Sequence, residues 1–203
     1  MQKIFITGID TNVGKTIVSA IFVEALKADY WKPIQAGLST ETDTEKVKNL
    51  VSNTQSRFHP DTFRLTSPLS PHAAAKIDNI NIEISKITLP QTQNTLIIEG
   101  IGGLLVPLNN KELLIDLIKE LNAEVVLVIK NYLGSINHAL LSLEALQRRN
   151  IKIKGLVFRS TPLPYSEEII SLQSGLNTIL KLEEEKEINK RVILKYAQRL
   201  DNV

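Results

Sequence analysis

Apolar residues along the chain fall into short unbroken runs separated by longer amphipathic stretches. Ile4 to Thr7, Leu96 to Glu99, Val125 to Ile129 and Lys154 to Phe158 are such runs, and most are rich in β-branched residues. Parallel strands buried on both faces need runs of this kind. Tyr30 to Ile34 reads as a further short strand that ends near Pro33. Lys15 to Lys27 and Asp43 to Leu50 look helical. After Ser135, the residues Ile136, Leu140, Leu143 and Ala145-Leu146 recur at helical spacing, and Asn150 offers a stop. Arg57 to Pro90 holds four prolines and no clear period, which predicts loop with short helices. Glu183 to Leu200 is charge-rich, with Ile188, Val192, Tyr196 and Leu200 on one stripe. Its balanced charge predicts a helix docked on the sheet rather than one lying on a membrane. Strands and helices alternate without repeat, linker or low-complexity tract. The expectation is one α/β domain over residues 1–203, a doubly wound, mainly parallel sheet with helices on both faces and ligands at the strand C-terminal ends.

Composition narrows this picture. With 203 residues and 43% hydrophobic content the chain can bury a full core. A formal charge of +2 argues against a dedicated nucleic-acid binder. There is no cysteine, which excludes disulfides, thiol nucleophiles and cysteine-ligated zinc. The first apolar run is too short for a signal peptide, and no stretch approaches membrane-spanning length. A cytoplasmic protein with no membrane association is expected.

The chemistry concentrates after the strand ends. Gly8 to Thr16 reads Gly-Ile-Asp-Thr-Asn-Val-Gly-Lys-Thr between an apolar strand and a helix. Free N–H groups at a helix start, together with the helix dipole, suit a nucleotide phosphate chain. Lys15 would reach the β- and γ-phosphates and Thr16 would ligate Mg²⁺. Five residues separate Gly8 from Gly14, where the usual phosphate loop has four between its glycines, so Ile9 takes the first glycine's place. Lys32 ends a strand and is either a second cation in the crevice or a solvated lysine. Asp43 opens a helix and is either a site carboxylate or its cap, a task Thr42 could take instead. Glu99 ends a buried strand beside the loop, the expected place for a metal-binding acid. Gly100-Ile101-Gly102-Gly103 follows at once and offers close backbone approach and N–H donors. Leu133 to His138 opens a helix after another buried strand, a second candidate anion site. His59 has no evident partner, His72 sits at an expected helix start, and none of the three histidines has metal-ligand spacing.

Taken together, these segments resemble the dethiobiotin synthetase family of the P-loop NTPase fold. The matching stretches are Gly8 to Thr16, Lys32 to Gly37, Ser70 to Ala73, Glu99 to Leu108 and Leu133 to Leu140. The wide glycine spacing belongs to that family's loop too. The resemblance implies a cyclo-ligase that joins CO₂ to 7,8-diaminononanoate with ATP and Mg²⁺, through a carbamate and a carbamic-phosphoric anhydride. It implies catalytic roles for Lys15 and Lys32, and Mg²⁺ on Thr16, Asp43 and Glu99. Asn12, Val13, Gly14, Ile17, Gly100, Ile101, Gly102 and Arg159 would surround the nucleotide, and Thr11 and Ala36 the diamine. It further implies a homodimer in which Gly134, Ser135, Ile136 and Asn137 grip the substrate carboxylate across the interface.

Two positions depart from the family pattern. Ala36 stands where a Ser or Thr is usual, removing a contact worth on the order of 1 kcal/mol. Arg159-Ser160 follows Leu156-Val157-Phe158 where an adenine-reading Asn is usual, and no Pro-containing base wall is recognisable around Ile179 to Leu182. Relaxed base preference is therefore expected. Among rival readings, a ParA/MinD-like ATPase switch would carry a lysine where Asp10 stands. A cobyrinate-type amide synthetase would need a glutaminase domain with a cysteine, and a small-molecule kinase remains a third reading.

Overall fold

The structure, a computed structural model, describes residues 1–38 and 41–200. The strands are β1 Lys3–Gly8, β2 Asp29–Trp31, β3 Ile34–Ala36, β4 Phe58–His59, β5 Phe63–Leu65, β6 Leu96–Gly103, β7 Glu124–Lys130, β8 Ile153–Arg159 and β9 Thr178–Leu182. The helices are α1 Lys15–Leu26, α2 Asp43–Leu50, α3 Pro71–Ile77, α4 Leu114–Glu120, α5 Ser135–Arg148, α6 Pro164–Ser174 and α7 Lys190–Ala197. A seven-stranded sheet runs β4-β2-β6-β1-β7-β8-β9, every neighbouring pair parallel.

The unbroken apolar runs explain the layering. In β7, Val126 and Val128 face one core and Leu127 and Ile129 another, as the two-residue period of a strand requires. In β1, Ile4 and Ile6 point into the first core and Phe5 into the opposite one. Helices α1, α2 and α7 cover the first face, and α3, α4, α5 and α6 the other. The sheet is therefore sandwiched, and its open C-terminal edge is where side chains can leave the core.

Three expectations are corrected. The segment from Tyr30 to Ile34 is not one strand. It breaks at Lys32-Pro33, and Ile34–Ala36 pairs with β5 in a separate two-stranded sheet. Proline has no N–H for a ladder, so the chain turns out of the large sheet there. The 57–90 region contains the short strands β4 and β5 as well as helix α3 and a 3-10 turn at Ile84–Lys86. The C-terminal helix begins only at Lys190. The acidic run Glu183-Glu184-Glu185 precedes it as loop, and Asn189 caps it by accepting from the Val192 N–H at 3.2 Å. Its buried stripe is Ile193, Tyr196 and Ala197, packed with α1 residues and with Leu180 and Leu182 of β9.

Candidate active site

The turn from β1 into α1 forms the phosphate loop. Asn12 and Gly14 take positive φ, 55° and 96°, which turns N–H groups into a concavity suited to an anion. A Cβ on Gly8 would sit 2.3 Å from Val13 Cγ2. The strand end therefore needs glycine because Val13 folds back over it, while the Ile9 N–H continues the sheet by donating to Val128 O at 3.1 Å. This is the physical reason for the wide glycine spacing. Lys15 is buried, and its Nζ donates to the Asp10 carbonyl at 2.9 Å. Burial first, and then the like charge of Lys32, pulls the Lys15 ammonium down to about 8 against the attraction of Glu99, Asp43 and Asp10.

Behind the loop, one lysine meets two carboxylates. Lys32 leaves the end of β2 with its Nζ 3.0 Å from Asp43 Oδ2 and 3.0 Å from Glu99 Oε1, and 3.3 Å from the Gly100 carbonyl. The Thr16 hydroxyl lies 3.2 Å from Asp43 Oδ1 and 2.9 Å from Glu99 Oε1. Tyr30 donates to the other oxygen of Glu99 at 2.9 Å. Burial disfavours the Lys32 charge, but Glu99 and Asp43 outweigh it and hold the ammonium above its ordinary value. Burial likewise acts to raise Asp43, yet Lys32 and the bonds from Lys32 and Thr16 keep that carboxyl below its usual range. The solvated reading of Lys32 is thus overturned.

Asp43 is free for this cluster because it is not the cap. Thr42 caps α2 in a capping box with Glu45, accepting from the Glu45 N–H while the Glu45 carboxylate accepts from the Thr42 N–H at 2.7 Å. The Gln35 side-chain amide oxygen Oε1 accepts from the Asp43 N–H at 3.2 Å and fixes the helix start. Among the described residues no cluster of three or more His, Cys, Asp or Glu could hold a metal. Thr16, Asp43 and Glu99 instead offer two carboxylates and a hydroxyl beside open space.

A cleft of about 890 Å³ covers these groups. It is lined by Thr11, Asn12, Gly14, Lys15, Thr16, Ile17, Lys32, Ala36, Asp43, Glu99, Gly100, Ile101, Gly102 and Arg159. Val13 is buried beneath the loop and can serve the cleft only through its backbone. Gly100 is dictated by the core as well, since a Cβ there would meet Phe5 Cε1 at 2.7 Å. Gly134 to Asn137 lie outside the cleft, at the start of α5. Ser135 there is buried with an unpartnered hydroxyl, while Gly134, Ile136 and Asn137 are exposed. Sequence reasoning missed Gln35, Glu41, Lys46, Asn49, Leu69 and Ile188 on the cleft wall. Gln35 lay inside the Lys32 to Gly37 stretch and Leu69 beside the Ser70-Pro71-His72-Ala73 stretch, so both had a signal nearby. His59 does have a partner: its Nε2 lies 3.1 Å from Asp29 Oδ2. His72 opens α3, and His138 pairs with the Tyr132 hydroxyl.

Arg159 ends β8 and reaches back over the phosphate loop. A Cβ on Gly14 would lie 2.6 Å from its Nη1 and 2.7 Å from its Cδ. Burial lowers the guanidinium from its usual value, and Glu184 opposes that. The side chain thus presents donors at the loop end of the cleft and no acceptor.

An AAA-domain family model matches residues 2–192. The ATP-dependent dethiobiotin synthetase BioD of Cytophaga hutchinsonii is 48% identical over 201 residues, 98% of this chain and 97% of its own. That of Christiangramia forsetii is 50% identical over 198 residues, 98% of this chain and 95% of its own. This chain belongs to the dethiobiotin synthetase family. A ParA family ATPase from Chlorobium tepidum superposes with a TM-score of 0.59 at 12% identity, covering 97% of this chain and 98% of that one. That likeness shows the α/β fold shared by the two. Of the stretches that carry the resemblance, Gly8 to Thr16, Lys32 to Gly37 and Glu99 to Leu108 contribute to the crevice, while Gly134 to Asn137 lie outside it.

Proposed function

We propose that this chain is an ATP- and Mg²⁺-dependent dethiobiotin synthetase that closes the cyclic urea of dethiobiotin from 7,8-diaminononanoate and CO₂. The observation that carries it is the convergence of Lys32, Asp43, Glu99 and Thr16 beside the Lys15 loop, in a chain nearly half identical to synthetases along its whole length. One substrate amine attacks CO₂ and loses a proton, giving a carbamate. A carbamate oxygen attacks the γ-phosphorus of ATP and ADP leaves. The second amine attacks the carbonyl of the mixed anhydride, the C–O bond breaks and phosphate departs with the ring closed. Little covalent chemistry falls to the protein, so its task is positioning and charge stabilisation.

Lys32 carries a charge fixed by two carboxylates and sits where it can hold the carbamate against the phosphoryl group. Lys15 and the loop N–H groups hold the phosphates, with Thr11 and Ala36 on the diamine side. Two carboxylates and a hydroxyl facing an open cleft fit a hard octahedral cation that takes its remaining ligands from water and phosphate. Thr16, Asp43 and Glu99 would hold Mg²⁺ there, and the ion would supply neutralisation of phosphate charge.

The same reading takes residues 1–203 as one catalytic domain acting in the cytoplasm as a homodimer, without nucleic acid or membrane. No described helix is long and apolar enough to cross a membrane. Leu105, Leu133, Ile136 and Leu141 are exposed apolar side chains, which supports a subunit contact at the α5 start where Gly134 to Asn137 serve the partner's substrate. Arg159 supports relaxed base preference, since donors alone can meet acceptors on any base. The decisive assay is ATP hydrolysis with and without diaminononanoate and bicarbonate. Hydrolysis that requires both is expected; hydrolysis indifferent to them returns the chain to the ATPase-switch reading. Equal kcat/KM for ATP, GTP and CTP is expected within about tenfold, and a strong ATP preference would overturn the base argument.

A further inference from the structure

The two carboxylate oxygens of Glu99 face different neighbours. Oε1 accepts from Thr16 at 2.9 Å and from Lys32 at 3.0 Å. Among the described residues, Oε2 accepts only from the Tyr30 hydroxyl, at 2.9 Å. Tyr30 is fully buried in β2, and its backbone is registered against Ile97 of β6. Its ring packs in the core covered by α1 and lies 6.1 Å from the Phe58 ring. The hydroxyl is therefore carried by a buried ring on a strand that is paired on both sides, and Glu99 itself lies on the neighbouring strand. A carboxylate torsion is broad by itself. This donor narrows it, because rotation would leave the buried Tyr30 hydroxyl and the oxygen it bonds without each other.

We propose that Tyr30 is a positioning residue which holds Glu99 Oε2 away from the cleft and so commits Oε1 as a single-oxygen ligand for the divalent cation of the nucleotide site. The inference rests on the reading of Thr16, Asp43 and Glu99 as the metal set. A single-oxygen ligand suits a small cation that demands near-octahedral geometry, whereas two-oxygen carboxylates suit larger cations. Tyr30 therefore also biases the site toward Mg²⁺ over Ca²⁺. Nothing in the sequence marks this role, since a tyrosine inside an apolar strand reads as core.

The test uses full-length protein saturated with a non-hydrolysable ATP analogue, with bound Mn²⁺ followed by electron paramagnetic resonance and Ca²⁺ as competitor. Tyr30→Phe keeps the ring and removes the donor. Its Mn²⁺ affinity is expected to fall about tenfold or more, as for other outer partners of metal ligands, with Ca²⁺ competing better and metal-free nucleotide affinity unchanged. In a Glu99→Gln background the same change is expected to do nothing further. Wild-type affinity in Tyr30→Phe, or an equal loss in both backgrounds, overturns the inference. Full Mn²⁺ affinity in Glu99→Gln alone removes Glu99 from the metal set and this role with it. If Tyr30→Phe does not fold, 3-fluorotyrosine at position 30 supplies a stronger donor. It must shift Mn²⁺ affinity in the Glu99 protein and not in Glu99→Gln, and equal affinity throughout overturns the inference.

Discussion

Two lysine–carboxylate clusters lie near the C-terminal side of the sheet, built alike and wired differently. In one, Lys32 is shared between Asp43 and Glu99, and Thr16 bridges the same two acids. In the other, Glu167 of α6 accepts from Asn131 at 2.7 Å and from the Leu163 N–H at 3.2 Å through one oxygen. Its second oxygen meets Lys181 of β9 at 2.6 Å. The Asn131 and Lys181 contacts tie α6 to the end of β7 and to β9, the Leu163 bond closes the start of α6 itself, and the group is not among the residues lining the main cleft. The bonds of Lys32 join side chains that all open on that cleft. A shared charge can change partner when an anion arrives, whereas a fully committed one can only be lost. The first arrangement suits chemistry and the second suits holding α6 and β9 in place.

Substitutions can break this contrast. Lys32→Ala should abolish phosphoryl transfer, a loss on the order of 10²–10³-fold or more in kcat, while nucleotide affinity stays within a few-fold because Lys15 and the loop backbone remain. Single-turnover kinetics with separately measured nucleotide binding checks this; collapsed affinity with normal turnover would make Lys32 a binding residue only. Glu99→Gln should raise the Mg²⁺ concentration needed for half-maximal turnover by roughly 10–100-fold, and an unchanged Mg²⁺ titration would remove the acid from the metal shell. Arg159→Asn should sharpen discrimination for ATP over GTP by roughly tenfold, about the worth of one good hydrogen bond, read as a ratio of kcat/KM values.

The smallest effect on activity belongs to the second cluster. Glu167→Gln should leave kcat/KM unchanged and cost about 1–3 kcal/mol of stability at neutral pH by urea unfolding. Burial acts to raise the Glu167 carboxyl, but Lys181, Asn131 and the Leu163 N–H together hold it below its ordinary 4.5. The stabilisation is then full above about 4.5 and is lost as pH falls through the lower folded value. The stability gap between variant and wild type should close in that acid window. A gap that stays constant with pH would show that the charge is not what Glu167 contributes.

Much of this was legible beforehand, for physical reasons that differ by element. Helix α2 spans Asp43–Leu50 as its polar start and apolar spacing predict. The buried strands were readable because both faces are covered, leaving no polar alternation to blur them. The phosphate loop and Lys32 were readable because each follows directly on such a strand; Glu99 was readable as the acid after the apolar run Leu96-Ile97-Ile98, although the strand does not end there as expected but continues to Gly103. Strands β3, β4 and β5 were not, since two or three residues carry no period and pair only through tertiary contact. Helix α4 was passed over although Leu114, Leu117, Ile118 and Leu121 recur at helical spacing, and helix α6 and strand β9 were not picked out either. Gln35 and Tyr30 serve the site through hydrogen bonds to Asp43 and Glu99, partners that no spacing rule connects. Asp29, thirty residues before His59, was equally out of reach.

The break after Trp31 carries a further consequence. Lys32 and Pro33 are suspended between two ladders, β2 against β6 and β3 against β5. Inserting or deleting one residue there would flip the ammonium to the opposite side of the pleat, even though every amino acid of the motif survived. Length at this junction is therefore constrained as tightly as the lysine itself, and the spacing from Trp31 to Gln35 is as much part of the site as the Lys32 ammonium.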